Sequence, residues 1–240
     1  MKQKCILILF AVFSLLHAQA QINITNPRCE LLVNPLGIDV TAPRLSWEIV
    51  AQPGMRNVQQ LAYHILAASS KEKLSRDEAD LWNSGKQNSS QSIHINYAGK
   101  KLNSKMPVYW KVKVFTNKGE TSWSETAWWS MGLLNKTDWK AKWIGYDRAS
   151  PWDSITQFSR LSARYLRKPF QLETGIKRAT AYVSGLGLYQ LYINGKKTSD
   201  DVLTPLPTDY RKSVLYNTYD VTQQLRTGSN VVGVVLGNGR

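Results

Sequence analysis

Cysteine is almost missing from this sequence: two occur, Cys5 and Cys29. Cys5 lies in an N-terminal apolar run, and removal of that run with an export signal leaves Cys29 alone. An intrachain disulfide is thereby excluded. Stability must come from core packing, which domains of about 100 residues can supply. Neither cysteine directly follows the apolar run, which argues against a lipid anchor. Histidine is scarce as well, with three residues. His64 and His94 have no Cys or His at ligand spacing, so zinc is not expected.

Negative charge is the next shortage. There are 17 acidic residues against 31 basic ones, a net charge of +14. Without Lys2 and Lys4 the balance is 29 against 17, or +12. Such a surface attracts anions, whether nucleic acid, acidic lipid or acidic polysaccharide. Export makes nucleic acid the least of these, and scattered lysines on a soluble domain are the plain alternative. Nucleotide-binding and nucleophile signatures are missing too. Gly185-Leu186-Gly187 is followed by Gln190 where a dinucleotide fingerprint needs glycine. No serine or cysteine sits in a recognisable motif with a histidine base. Asn23, Asn88 and Asn135 open N-x-Ser/Thr triplets, which matter only in a eukaryotic secretory pathway.

What is present begins with Met1 to Ala20. Lys2 and Lys4 form a basic start, Cys5 to Leu16 an apolar run, and Ala18-Gln19-Ala20 a small-residue cleavage site, the pattern of a secretory signal peptide. The run has 12 residues, too few for a bilayer core that needs roughly 20. The chain is expected to be exported, periplasmic or extracellular, with no membrane span after cleavage.

From Ile24 onward the sequence reads as short strands. Leu45, Trp47 and Ile49 alternate with polar residues, the period of a half-buried strand. Tyr63 to Ala68 is mostly apolar and predicts a central strand. Lys71 to Asp80 is either a helical turn or a charged loop. Leu81 to Ser84 and Ile93 to Tyr97 are further strands. In Val108 to Phe115, Val108, Trp110, Val112 and Val114 share one face and Lys111 and Lys113 the other. Leu133 to Ser159 is a connector whose Trp139 and Trp143 are too apolar for a free linker and are expected to pack between two modules. The second half holds strands at Arg164 to Leu172 (an edge strand, given Pro169), Ala179 to Val183, Tyr189 to Ile193, Ser213 to Tyr219 and Asn230 to Leu236. Asn194-Gly195 supplies the positive φ angles of a tight hairpin. The fold class is all-β, with two β-sandwich modules.

Several stretches of the second half, among them Tyr182-Val183-Ser184-Gly185-Leu186-Gly187-Leu188-Tyr189, Asp201-Val202-Leu203-Thr204-Pro205 and Thr208-Asp209-Tyr210-Arg211-Lys212, resemble the N-terminal β-sandwich module of bacterial α-L-rhamnosidases of glycoside hydrolase family 78. Tyr109-Trp110, Gly119 and Trp123-Ser124-Glu125 resemble the end of a fibronectin type III domain, the first module expected in that family. After the signal peptide at residues 1–20, the resemblance implies a fibronectin type III-like sandwich at 21–132, a connector at 133–160 and a jelly-roll-like module at 161–240, incomplete and thus with an exposed sheet edge. It also implies a parent activity, inverting hydrolysis of terminal α-L-rhamnose by two glutamates on a downstream (α/α)6 barrel. No catalytic residue is assigned within this chain. The implied partners are a catalytic domain and rhamnose-containing carbohydrate, including acidic pectin fragments.

Candidate sites are few. Asp200, Asp201 and Asp209 lie on a proline-punctuated loop with no apolar pocket to raise a carboxyl pKa, so catalysis by them is not expected. They could hold Ca²⁺, helped by carbonyl oxygens of Asn194 and Asn217. Loop capping by Asx-type hydrogen bonds is the simpler alternative. Tyr189, Tyr192 and Tyr210 are candidate platforms for sugar rings, with sheet-covering tyrosines as the alternative. A stand-alone sugar-binding or adhesion protein, and an inactive remnant, remain open beside the glycosidase reading.

Overall fold

The computed structural model describes residues 22–146, 148–153, 156 and 161–237. The proposed signal segment and the final Asn238-Gly239-Arg240 lie outside them. The chain divides into two compact units between Met131 and Gly132. In chain order the elements are β1 (Asn23–Cys29), β2 (Arg44–Val50), β3 (Gln60–Ala68), α1 (Lys71–Ser75), β4 (Trp82–Asn88), β5 (Ile95–Asn96), β6 (Pro107–Thr116), β7 (Gly119–Glu120) and β8 (Ala127–Ser130). The second unit has β9 (Arg164–Leu172), β10 (Thr180–Ser184), β11 (Tyr189–Ile193), β12 (Lys196–Lys197), β13 (Tyr216–Asp220) and β14 (Gly228–Leu236).

The first unit is a β-sandwich. One sheet has the order β1-β2-β5; the other is β4-β3-β6, with β7 and β8 pairing to the far side of β6. Alternation on β6 sends Val108, Trp110, Val112 and Val114 inward, each with no exposed surface. Burial of each such side chain contributes about 1.5–3 kcal/mol. Tyr97 joins Trp82 and Trp129 edge-on, at centroid distances of 5.3 and 5.9 Å.

The opposite face of β6, which carries Lys111 and Lys113, is partly covered. Lys111 is buried, ion-paired with Asp77, and both Lys111 and Lys113 lie over the Trp123 ring, at 5.1 and 5.3 Å. The indole covers the apolar lysine stems and its π face meets the ammonium groups. The open segment after β3 is the short helix α1. Ser70 caps it by accepting the Lys73 N–H at 3.2 Å, and Leu74 is buried beneath it.

The second unit packs a four-stranded sheet, β12-β11-β14-β9, against the pair β10-β13. Its core is Tyr189, Leu191 and Ile193 from β11 with Tyr219 and Val221, supported by Val232, Val234 and Leu236 from β14. The β11–β12 turn places Asn194 and Gly195 at φ +52° and +80°, as the Asn-Gly pair demands. β9 is indeed an edge strand. The strand expected from Ser213 starts only at Tyr216, because the N–H groups of Lys212 and Ser213 turn back to the Asp209 carbonyl at 2.8 and 3.0 Å.

Candidate functional site

Residues paired across an antiparallel sheet share a face. On the outer face of the four-stranded sheet the register therefore forms two rows. Gln190, Val235 and Tyr165 make one, and Tyr192, Gly233 and Arg167 the other. Gly233 brings no side chain to the middle of its row, so an open trough of about 780 Å³ forms between Tyr192 on β11 and Tyr165 and Arg167 on β9. Tyr192 donates its hydroxyl to Gln190 Oε1 at 2.9 Å, linking the rows. Tyr165 is 81% exposed. Arg226 also lines the trough, its Nε donating to the Ser229 carbonyl at 3.1 Å. No carboxylate is among the residues lining it.

Of the three tyrosines singled out in the sequence, the structure brings Tyr192 alone to this trough. Tyr189 is corrected to a core residue, 4% exposed, because it sits on the inward phase of β11. Its hydroxyl reaches the Val183 carbonyl, Asn217 Oδ1 and the Tyr219 hydroxyl at 3.3, 3.1 and 3.3 Å, and burial pushes its pKa up. Tyr210 lies exposed on the loop before β13, away from the trough lining.

The three aspartates named for calcium do not gather into one cluster. Among the described residues no three acidic, histidine or cysteine side chains come together. Asp209 accepts hydrogen bonds from Arg211 Nε at 3.0 Å and the Arg211 N–H at 3.2 Å, and this guanidinium holds its carboxyl below the usual range. Asp200 and Asp201 are exposed, and the Asp201 N–H turns to Ser199 Oγ at 3.2 Å. The carbonyl oxygens expected to help are already engaged. Asn194 Oδ1 accepts from the Val231 N–H, and Asn217 Oδ1 from Tyr189 and Thr204. The loop is held by capping.

A second hollow, of about 360 Å³, lies on the β10-β13 side. Trp139 packs edge-on against Tyr216 at 5.3 Å, and the Tyr216 hydroxyl accepts the Leu133 N–H at 3.0 Å. Trp143 also lines it and stays 65% exposed. Further along the connector, Asp153 accepts from the N–H groups of Ser150 and Ser162 and pairs with Arg164 at 3.3 Å. These bonds pin that segment to the start of β9 and leave the Asp153 carboxylate committed.

Residues 24–135 match a family profile described as the Rha78A-like, N-terminal immunoglobulin domain, and residues 174–240 match the α-L-rhamnosidase N-terminal domain. An α-L-rhamnosidase of Formosa agariphila is 39% identical over 221 residues, 86% of this chain and 23% of that protein. One from Alteromonas sp. is 36% identical over 212 residues, 88% of this chain and 23% of that protein. Among solved structures, the α-L-rhamnosidase of Dictyoglumus thermophilum superposes with a TM-score of 0.83 at 39% identity, over 91% of this chain and 25% of that one. The Aspergillus terreus α-L-rhamnosidase gives 0.73 at 27% identity, over 90% and 24%. The chain thus spans about a quarter of the length of these relatives. Both of its units are matched, in order, and together they identify it as N-terminal modules of the α-L-rhamnosidase family.

Proposed function

We propose that this chain is the non-catalytic N-terminal part of an exported α-L-rhamnosidase, an enzyme releasing terminal α-L-rhamnose from plant polysaccharides or glycosides. It braces the catalytic domain and holds carbohydrate on the outer sheet face of its second unit. The observation that carries the reading is the match of both modules to α-L-rhamnosidases at 39% identity over 86% of the chain. The sites agree with it. Glycoside hydrolysis needs two carboxyl groups flanking the scissile bond, one of them kept protonated. In the second unit Asp153 and Asp209 are instead ion-paired with Arg164 and Arg211. Export is supported by the basic start, apolar run and Ala18-Gln19-Ala20 of the N-terminus.

The test is an assay of the chain on an aryl α-L-rhamnoside, together with affinity electrophoresis in gels containing rhamnose-bearing polysaccharide. No turnover and retarded migration are expected. Measurable hydrolysis would overturn the non-catalytic assignment, and unretarded migration would overturn the carbohydrate-holding role.

A further inference from the structure

Gly233 occupies the middle of β14, with neighbours on both sides. Nothing in its backbone requires glycine, since its φ is not among the positive angles of the chain. Nor does crowding require it. A Cβ placed there would meet the Tyr192 Cβ at 3.7 Å and the Leu166 carbonyl oxygen at 3.9 Å, ordinary contact distances. Glycine within a strand weakens it and often marks a place where a ligand or another backbone comes close. Here its effect is to leave the floor of the trough bare between Tyr192 and Arg167. Those residues stand two strand spacings apart, roughly 10 Å between backbones, which leaves the width of one pyranose ring.

The walls indicate what kind of ring. Tyr192 and Tyr165 offer apolar faces to the C–H groups of a sugar, with the Gln190 amide near its hydroxyls. Arg167 is exposed, and its guanidinium makes no hydrogen bond or ion pair among the described residues. Arg226 uses its Nε on a backbone carbonyl and pairs with no carboxylate among them. Two guanidinium groups therefore line a trough that contains no negative charge, and guanidinium is the side chain best shaped to receive a carboxylate.

We propose that this trough binds a uronate-bearing saccharide, the ring lying over Gly233 between the tyrosines and the sugar carboxylate held by Arg167. The proposal rests on the carbohydrate-holding role above and adds the site and the charge of the ligand. Gly233 is its specificity-determining position, because any larger residue would fill the ring's place.

The experiment is calorimetric titration of the full chain with a rhamnose–galacturonate tetrasaccharide and with its methyl ester, which differs in lacking the charge. The acid is expected to bind about tenfold more tightly than the ester at low salt, the scale of one charge-assisted contact, and this advantage should shrink as salt is added. Arg167→Gln, an exposed change on an edge strand, should bring the acid down to the affinity of the ester. Gly233→Val should abolish binding of both without lowering the melting temperature, and Gly233→Ala should weaken both. Equal affinity for acid and ester, or an acid advantage that survives Arg167→Gln, would overturn the proposal and leave the carbohydrate-holding role intact. Binding of neither saccharide would overturn both.

Discussion

Asn194 donates its side-chain amide to Asn230 Oδ1 at 2.8 Å and accepts the Val231 N–H on its own Oδ1 at 2.8 Å. Asn230 is fully buried, and its amide donates to the carbonyls of Arg226 and Gly228 at 2.6 and 3.0 Å while its Oδ1 also accepts the Arg226 N–H. The pair thus fastens the β11 hairpin turn to the loop that starts β14, the two strands that carry Tyr192 and Gly233. Replacement of Asn230 by Ala strands buried donors and acceptors. A loss of about 2–3 kcal/mol in the second unit is expected, read from urea unfolding followed by a probe in that unit. A loss below about 0.5 kcal/mol, the scale of an ordinary surface change, would show that the network contributes little.

Tyr189 and Tyr192 lie three residues apart on opposite faces of β11, and their substitutions should separate stability from binding. Tyr189→Phe removes a buried hydroxyl that reaches Asn217 and Tyr219. It should cost about 1 kcal/mol of stability and leave saccharide affinity unchanged. Tyr192→Ala should do the reverse, with binding lost and the melting temperature nearly kept. Paired calorimetry and thermal melts check this; a binding defect in Tyr189→Phe would contradict the assignment of its face.

Much of this was legible in the residues. Strict alternation on Tyr189 to Ile193 and Val108 to Phe115 placed the strands, and the Asn194-Gly195 pair placed a hairpin. The site was less legible, because a trough on a sheet is a matter of register. Tyr165 and Arg167 are distant in sequence from Tyr192, and only the pairing through Gly233 brings them to one face. A glycine inside an apolar strand, Val231-Val232-Gly233-Val234-Val235, was the signal that could have marked it. Tyr189 shares its phase with Leu191 and Ile193, so its place on the core side of β11 was itself legible in the alternation. Lys111 and Lys113 share a face as the alternation says, but its cover was not legible, since Trp123 arrives from a segment beyond the next turn.

Acid stability should depend on Asp80. Its carboxylate accepts from Lys73 Nζ, Ser69 Oγ and the Ser69 N–H at 2.6, 2.7 and 2.8 Å. Burial would raise its pKa, but these bonds outweigh burial and hold it at about 2, below the ordinary 3.8. A carboxyl whose pKa is lower folded than unfolded stabilises the fold above about pH 4, and that contribution disappears as pH falls toward 2. Melting temperature against pH should therefore fall less steeply on the acid side in Asp80→Asn than in the unaltered chain. Parallel curves would contradict the assignment.

Calcium should be irrelevant to the Asp200, Asp201 and Asp209 loop, since Arg211 neutralises Asp209 and, among the described residues, no three acidic, histidine or cysteine side chains come together. Neither EDTA nor millimolar CaCl₂ is expected to move the melting temperature, because a bound ion stabilises only the state that binds it. A rise with added calcium, abolished in Asp209→Ala, would reinstate a metal site there.

The most direct measurement is amide chemical-shift mapping of the ¹⁵N-labelled chain titrated with an unlabelled rhamnose–galacturonate oligosaccharide. The perturbed amides should cluster at Tyr165, Arg167, Gln190, Tyr192 and Gly233, with Tyr189 and the first unit silent. Shifts confined to the hollow at Trp139 and Tyr216, to the first unit, or absent altogether would contradict the account.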